Sequence, residues 1–366
     1  MTHNDEMIPE RPAPRLTVGP LAWLRANLFS GPVNSLFTLL GLYLLYVLLT
    51  PAIQWALIDA DWIGTSRDDC SREGACWVFV NARLGQFIYG LYPGDEIWRI
   101  NVMFATFAAL LAWLAIPRLP FKRWVAQVTL LVFPVFAYVL LYGGHFGLPV
   151  VETHRWGGLS LTLILATVGM VAALPIGIVL ALGRRSQMPI VRSVCVVFIE
   201  FWRGVPLITI LFMASVMLPL FLPTGMSIDR LVRALIGITL FQSAYMAEVV
   251  RGGLQAIPRG QEEAAAALGM GYWHRMGLIV LPQALKMMIP GIVNTFISLF
   301  KDTTLVMIIG LFDLLGIVQA ALSDSRWLGF AVEGYVFAAL MFWIFCFSMS
   351  RYSQYLERKL HTGHKR

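Results

Sequence analysis

The chain has 366 residues, of which 58% are hydrophobic and only 13% are charged. Soluble domains carry about 25% charged residues, so this composition excludes an ordinary soluble protein and indicates a membrane protein. The net charge of +7 needs no nucleic-acid partner, because basic residues also gather in the loops on one side of a membrane.

Eight apolar stretches are long enough to cross a bilayer as helices, which takes about 20 residues each. They are residues 36–58, 99–116, 124–143, 158–182, 195–222, 234–250, 287–311 and 331–350. The fifth and seventh contain charged residues. The sequence therefore predicts an all-α integral membrane protein with about eight transmembrane helices.

Lysine and arginine set the expected orientation of these helices. With the N-terminus inside, the inside segments hold 18 basic residues and the outside loops hold 8. This bias is the one expected for cytoplasmic loops. It predicts a multi-pass protein with both termini in the cytoplasm. No cleavable signal peptide precedes the first apolar stretch, so we expect that stretch to direct insertion.

The first outside loop is acidic and contains two cysteines six residues apart, Cys70 and Cys76. With this topology the loop faces an oxidising space, which allows a disulfide between them. The alternative is two free thiols in a loose loop. The composition then changes near residue 155. We expect an N-terminal extension with three helices, 1–155, and a five-helix core, 156–366.

No catalytic motif occurs in the chain. There is no phosphate-binding loop, no HExxH, no GxSxG and no paired CxxC, and the six histidines lack metal-ligand spacing. We therefore expect no catalytic residue, no metal and no cofactor held by this chain. A membrane-embedded enzyme has no support here.

The inside loop 251–286 contains a short segment unlike the rest of the chain, EEAAAALGMGY at 262–272. Gln261 and the two glutamates that follow it favour a helix start, and the alanines are strong helix formers. Gly269 is placed to end the helix in a left-handed cap. A helix this short is marginal in water and needs a packing partner. It either lies along the membrane surface or docks onto another protein.

Four ordered motifs support the docking interpretation. They are EFWRGVPL (200–207), AYMAEVVRGGLQAIPRGQ (244–261), the stretch 263–269 followed by Leu281 and Pro282, and FISLFKDTTL (296–305). Together they resemble the permeases of binding-protein-dependent ABC importers, in the branch that carries polar amino acids. RWGGLSLTL (155–163) and ALGRRSQMP (181–189) resemble the long, M-type permease of general L-amino-acid importers.

The resemblance implies a function and a set of partners. It implies a permease that imports L-amino acids across the bacterial inner membrane, driven by a separate ATPase subunit that binds ATP and Mg. A second homologous permease and a periplasmic amino-acid-binding protein complete the expected assembly. The residues implied in ATPase coupling are Glu263, Ala264, Ala265, Leu268, Gly269, Leu281 and Pro282. A gradient-driven secondary transporter or channel is the alternative, but it would not need the docking loop.

Polar residues within the apolar stretches are candidates for a substrate path, because they are costly in lipid. Asn294, Ser298, Lys301 and Asp302 follow one another at helical spacing. Lys301 could bind the carboxylate of an amino acid, and Asp302 could bind its ammonium group. Alternatively, the two residues line a gate, or they only pair with each other or with a neighbouring helix. Gln242 and Glu248 are weaker candidates, since Glu248 can pair with Arg251 one turn along the helix. Glu200 and Arg203 have the same spacing.

Overall fold

The computed structural model describes residues 19–71, 73–221, 223 and 228–360, which form helices joined by short loops and include no β-strand. The chain divides into two compact units, Met1–Val78 and Phe79–Arg366. Each unit has more contacts within itself than with the other. This division does not test the domain boundary expected at residue 155, which stays a prediction.

The first unit consists of two helices and a cross-linked loop. Helix α1 is Pro20–Asn27 and α2 is Pro32–Ile53, which a π-helical turn at Gln54–Ile58 extends. A 3₁₀ turn follows at Arg67–Asp69. The sulfurs of Cys70 and Cys76 form a disulfide, with the two Cα atoms 5.7 Å apart.

The second unit contains the remaining helices. In chain order they are α3 Trp77–Tyr89, α4 Ile97–Ala115, α5 Lys122–Gln127, α6 Phe133–Tyr142, α7 Gly158–Arg184, α8 Pro189–Gly204, α9 Leu207–Phe212, α10 Arg230–Ala256, α11 Arg259–Ala267, α12 Tyr272–Arg275, α13 Leu281–Met287, α14 Ile289–Asp302, α15 Leu314–Leu322 and α16 Ala331–Leu360.

Short 3₁₀ and π-helical turns link or extend several of these helices. The 3₁₀ turns are Gly94–Glu96, Thr153–Arg155, Leu218–Phe221, Thr303–Ile309 and Ser325–Trp327, and the π-helical turns are Val128–Val132, Met213–Met217 and Met276–Val280. Helix α3 lies in a loop for which the sequence predicted no helix.

Six helical segments of the described chain are long and apolar enough to cross a membrane: Pro32–Ile58, Gly94–Ala115, Lys122–Tyr142, Gly158–Arg184, Ile289–Ile309 and Ala331–Leu360. They overlap six of the eight predicted stretches. The predicted sixth stretch, 234–250, lies within α10, a helix of 27 residues. Helix α10 is long enough to cross but carries several charged residues, so composition alone does not identify it.

The predicted fifth stretch, 195–222, corresponds to a helix broken by a sharp bend. The chain there forms α8 and then the segment Leu207–Phe221, with an angle of 101° between them. The break lies at Val205 and Pro206, both of which have extended backbone angles. Proline lacks a backbone N–H and disfavours the helical conformation of the residue before it, so the helix ends here.

Helices α7 and α10 form the centre of the second unit and pack closely along their length. Small residues recur every four positions on the buried face of α7, at Gly169, Ala173, Gly177 and Ala181. A Cβ atom at Gly177 would lie only 2.7 Å from the Cβ of Met246 in α10. Because real Cβ atoms do not approach so closely, this crossing requires glycine.

The helices α4 and α6 meet this core around Trp156 and Leu165. Arg99 of α4 is fully buried there, where it pairs with Glu96 at 2.8 Å and donates to the carbonyl of Pro149. Deeper along the same helices lies a cavity of about 510 Å³ with a largely apolar lining that includes Phe104 and Tyr138. Helices α4 and α6 are therefore tied to this core at one end and separated from it by a groove further along.

We expect Gly177→Val to destabilise the protein by about 1–3 kcal/mol, the usual cost of overpacking, because the added atoms force α7 away from α10. Thermal unfolding of the purified protein in detergent would measure the change. The matched control is Gly41→Val in α2, where a Cβ meets no atom within 4 Å. Equal effects of the two substitutions would contradict the close crossing.

Candidate functional site

The segment that the sequence singled out is the helix α11, and it ends as predicted. Gly269 has a φ of +76°, the left-handed conformation that glycine adopts without strain. The N–H of Gly269 donates to the carbonyl of Ala266, and the N–H of Met270 donates to that of Ala265. These two bonds form a Schellman cap. The helix begins at Arg259, two residues earlier than predicted, directly after Pro258.

One face of α11 is packed and the other is free. Ala265 is buried, whereas Glu263 and Ala264 are exposed. The apolar side chains that follow the helix are strongly exposed: Leu268 by 82% and Trp273 by 74%. An exposed apolar surface on a helix that needs packing to be ordered indicates a docking site.

The packed side of the loop is fixed to the membrane helices. Met276, Val280 and Ala284 are buried in one cluster with Met246 and Val250 of α10. Within the predicted motif, Leu281 is half-buried and Pro282 is exposed. The loop is thus held rigidly from behind while α11 projects from it.

Charged contacts add to this anchoring. Glu262 lies 3.7 Å from Arg185 at the end of α7. The amide of Gln283 in α13 reaches the side-chain oxygen of Gln261 at 3.4 Å. Both contacts join α11 to neighbouring elements of the chain.

A group of five charged side chains, the Glu248 cluster, joins α7, α8 and α10 near this loop. The Glu248 carboxylate pairs with Arg184 at 2.7 Å and with Arg251 at 2.8 Å, and Arg203 lies 3.7 Å away. Arg184 also bridges to Glu200 at 3.0 Å. The expected Glu248–Arg251 contact is present. The expected Glu200–Arg203 pair is replaced by Glu200–Arg184, because Arg203 turns towards Glu248 and the ring of Tyr245.

The sequence reasoning missed the central role of Arg184 in this cluster. In the sequence, Arg184 is one of several basic residues in the inside segment after the fourth apolar stretch. The excess of basic residues expected on that side of the membrane already explains its presence there. Its contacts with Glu200 and Glu248 span 16 and 64 positions of the chain. Neither separation leaves a local pattern.

Within the membrane, one side of α14 carries polar residues. Asn294, Ser298 and Lys301 are exposed along this face and form what we name the α14 stripe, while Thr295 and Leu299 on the other face are buried. Asp302 is half-buried beside the stripe. Neither Lys301 nor Asp302 forms an ion pair with another residue of the described chain.

Gln242 lies apart from this stripe. Its side chain is buried and its amide donates to the backbone carbonyl of Thr295 at 2.8 Å, which ties α10 to α14. In this position Gln242 joins two helices and faces away from the exposed polar surface. Glu248 is likewise committed to its arginines.

Helices long and apolar enough to cross a membrane, a polar stripe on one of them and an exposed helical loop fit a membrane transport permease. The chain matches the family described as "Binding-protein-dependent transport system inner membrane component" over residues 173–362. It belongs to this family, whose members are permease subunits of ABC transporters.

Two relatives match over nearly the whole chain. The "Inner membrane amino-acid ABC transporter permease protein YhdY" of Escherichia coli (strain K12) is 58% identical over 355 residues, which cover 97% of each chain. The "Glutamate/glutamine/aspartate/asparagine transport system permease protein BztC" of Rhodobacter capsulatus is 42% identical over an alignment of 429 positions, which covers 98% of each chain. Both are amino-acid transporter permeases, which confirms the resemblance found from the motifs.

A solved structure described as "Crystal structure of an amino acid ABC transporter with histidines" is 30% identical. The match covers 55% of this chain and 92% of the chain in that structure, with a TM-score of 0.49.

We expect Glu248→Gln to lower the unfolding temperature markedly. The side chain is only 16% exposed, and removing its charge leaves three neighbouring guanidinium groups without a shared counter-charge. Glu248 is partly buried and paired several times, so the cost lies between that of an exposed pair and that of a buried one, about 1–3 kcal/mol.

The matched control for this prediction is Glu200→Gln, which removes another partner of Arg184 from a position that is 56% exposed. Exposed pairs contribute about 0–1 kcal/mol. Thermal unfolding followed by intrinsic fluorescence would compare the two variants. A larger loss in Glu200→Gln would show that Glu248 is not the centre of the cluster.

Proposed function

We propose that the chain is the permease subunit of an ATP-driven importer of L-amino acids, and that α11 transmits the movement of a separate ATPase to the membrane helices. The observation that carries this proposal is the exposed apolar and acidic surface of α11 on a loop whose other side is packed against α10. Such a surface is suited to a groove on a partner, and the packed side would carry a displacement into the membrane.

The remaining subunits follow from this role. ATP and Mg would bind to the ATPase subunit, because the sequence has no phosphate-binding loop. A periplasmic binding protein would deliver the amino acid from the outside. The distribution of basic residues supports cytoplasmic termini, which puts α11 on the side where ATP is available.

A second, non-identical permease is the partner we propose for the membrane part. The α14 stripe is exposed in the single chain, although polar side chains facing lipid are costly. A homologous subunit packed against this face would enclose the stripe and form a path between the two chains.

The charges of the path suit an amino acid with both an ammonium and a carboxylate group. Lys301 could meet the carboxylate and Asp302 the ammonium, while the hydroxyl of Ser298 and the amide of Asn294 offer neutral hydrogen bonds. The name of the Rhodobacter relative supports polar amino acids such as glutamate and glutamine as the substrates. We propose a broad range of polar L-amino acids.

The coupling role of α11 is tested by Glu263→Lys in the importer reconstituted with its ATPase, second permease and binding protein. We expect uptake to fall about tenfold or more, equivalent to losing about 1.4 kcal/mol of productive docking. The binding protein loaded with L-amino acids should also stimulate ATP hydrolysis less. Uptake of a panel of L-amino acids and phosphate release would be measured together.

The control for this experiment is Glu357→Lys, an equal charge reversal at an exposed position near the end of α16. It should leave uptake and hydrolysis as they are in the unmodified complex. Normal uptake with Glu263→Lys would contradict docking through α11. Uptake by the chain without any ATPase would contradict the importer class itself.

We expect Lys301→Met and Asp302→Asn each to reduce uptake while the subunits still assemble. Removing a charge that stabilises one end of the substrate raises its half-saturating concentration or slows its transfer, by a factor of about ten for 1.4 kcal/mol. Radiolabelled uptake and co-purification would be measured, with Lys359→Met at the exposed end of α16 as the matched control. Unchanged uptake would assign both residues to structure.

A further inference from the structure

A cavity of about 490 Å³ opens beside the start of α11. Five arginines from four helical segments lie in its wall, and we name it the arginine cavity. Two come from the end of α7, and one each from the start of α8, the last third of α10 and the first position of α11: Arg184, Arg185, Arg192, Arg251 and Arg259. No carboxylate lines it. The cavity takes no part in the coupling or path roles proposed above.

The neighbouring acids neutralise only part of this charge. Glu248 is shared by Arg184 and Arg251, and Glu262 reaches Arg185 only at 3.7 Å. Arg192 and Arg259 make no ion pair or hydrogen bond with any other side chain in the part of the chain that the structure describes. Two guanidinium groups therefore point their donors towards water, next to a cavity that is already positive.

Guanidinium groups have the planar fork geometry that binds phosphate through paired hydrogen bonds. Several arginines from different helices around one concave site would provide more such donors than a single exposed arginine. The chemistry of the arginine cavity therefore suits an anion that bears phosphate.

Helix α8 indicates where this cavity lies relative to lipid. Ile190, Val194, Val197 and Phe201 recur at helical spacing and are all exposed, Ile190 by 80%. Arg192 is about half a turn away from this apolar stripe, on the side of the cavity. An amphipathic helix with one exposed apolar face lies in the membrane interface, with its polar face at the level of the headgroups. Because the chain bends by 101° after α8, this helix can lie in the interface while the segment Leu207–Phe221 runs in a different direction.

We propose that the arginine cavity binds a phosphate-bearing anion, and that its source is the headgroup of an anionic phospholipid in the leaflet next to α11. The apolar stripe of α8 places the cavity at headgroup depth, on the polar side of this helix. Anionic lipids are attracted to clusters of basic residues at the cytoplasmic surface, each residue adding about 1 kcal/mol. A lipid bound here would join α7, α8, α10 and α11 through one phosphate.

The test measures binding directly and does not depend on transport activity. The full-length permease, purified in a non-ionic detergent with the subunits that accompany it, would be titrated by calorimetry with dioctanoyl phosphatidylglycerol. Dioctanoyl phosphatidylcholine and inorganic phosphate would be titrated separately. We expect saturable binding of the anionic lipid at one site, and no saturable binding of the zwitterionic lipid.

The decisive variant is the double substitution Arg192→Gln and Arg259→Gln, which removes the two arginines without other contacts. We expect its affinity for phosphatidylglycerol to fall at least tenfold. The control is Arg118→Gln with Arg123→Gln, which removes the same charge from two exposed positions on the same predicted side, one in the loop after α4 and one at the start of α5. The control should bind like the unmodified protein.

Each result has a clear meaning. If inorganic phosphate binds as tightly and displaces the lipid, the phosphate site stands and its source is soluble phosphate. Equal losses in both double variants would show general attraction to positive charge and overturn the site. Unchanged binding in the Arg192 and Arg259 variant, equal binding of phosphatidylcholine, or no saturable binding would overturn it as well.

Discussion

The close crossing of α7 and α10 is the constraint on which the rest of the second unit depends. The two backbones can approach because Gly177 has no side chain where Met246 packs. In a membrane, helices gain little from the hydrophobic effect against one another, so contact through small residues is a main source of their association. Helices α8, α13 and α14 each pack against one or both members of this pair.

The charged end of this helix pair organises the loop side of the protein. Glu248 draws together arginines from α7, α8 and α10, and Arg184 extends the network to Glu200. A carboxylate with this little exposure is tolerable only because it is paired several times. Two of these arginines, Arg184 and Arg251, also line the arginine cavity, where Arg185, Arg192 and Arg259 add further positive charge. Stability and anion binding are thus two consequences of one arrangement.

A continuous set of contacts leads from the projecting helix to the polar face in the membrane. The loop of α11 packs on α10, and Gln242 of α10 donates to the backbone of α14 at Thr295. The exposed residue Asn294 is the immediate neighbour of Thr295. Under the proposed coupling role, these packed side chains and one buried hydrogen bond are the contacts that connect α11 to the α14 stripe.

Features with short-range causes could be predicted from the sequence. The apolar stretches, the helix at α11, its left-handed end at Gly269 and the Glu248–Arg251 pair each depend on residues within a few turns of one another. The family also followed from motifs that are contiguous in the chain. Proline at position 206 disfavours a continuous helix, but the angle of 101° depends on how the segments on either side pack.

What the sequence by itself determined is the class of protein: a helical membrane permease with a projecting loop, because hydropathy, charge bias and local motifs are properties of neighbouring residues. Only the tertiary structure decided which side chains share a surface. It turned Arg203 away from Glu200, buried Gln242 and exposed Lys301, and it brought arginines from four helical segments to one cavity. These outcomes depend on helices distant in sequence approaching to within a few ångströms, and such approaches leave no periodic signal in a single chain.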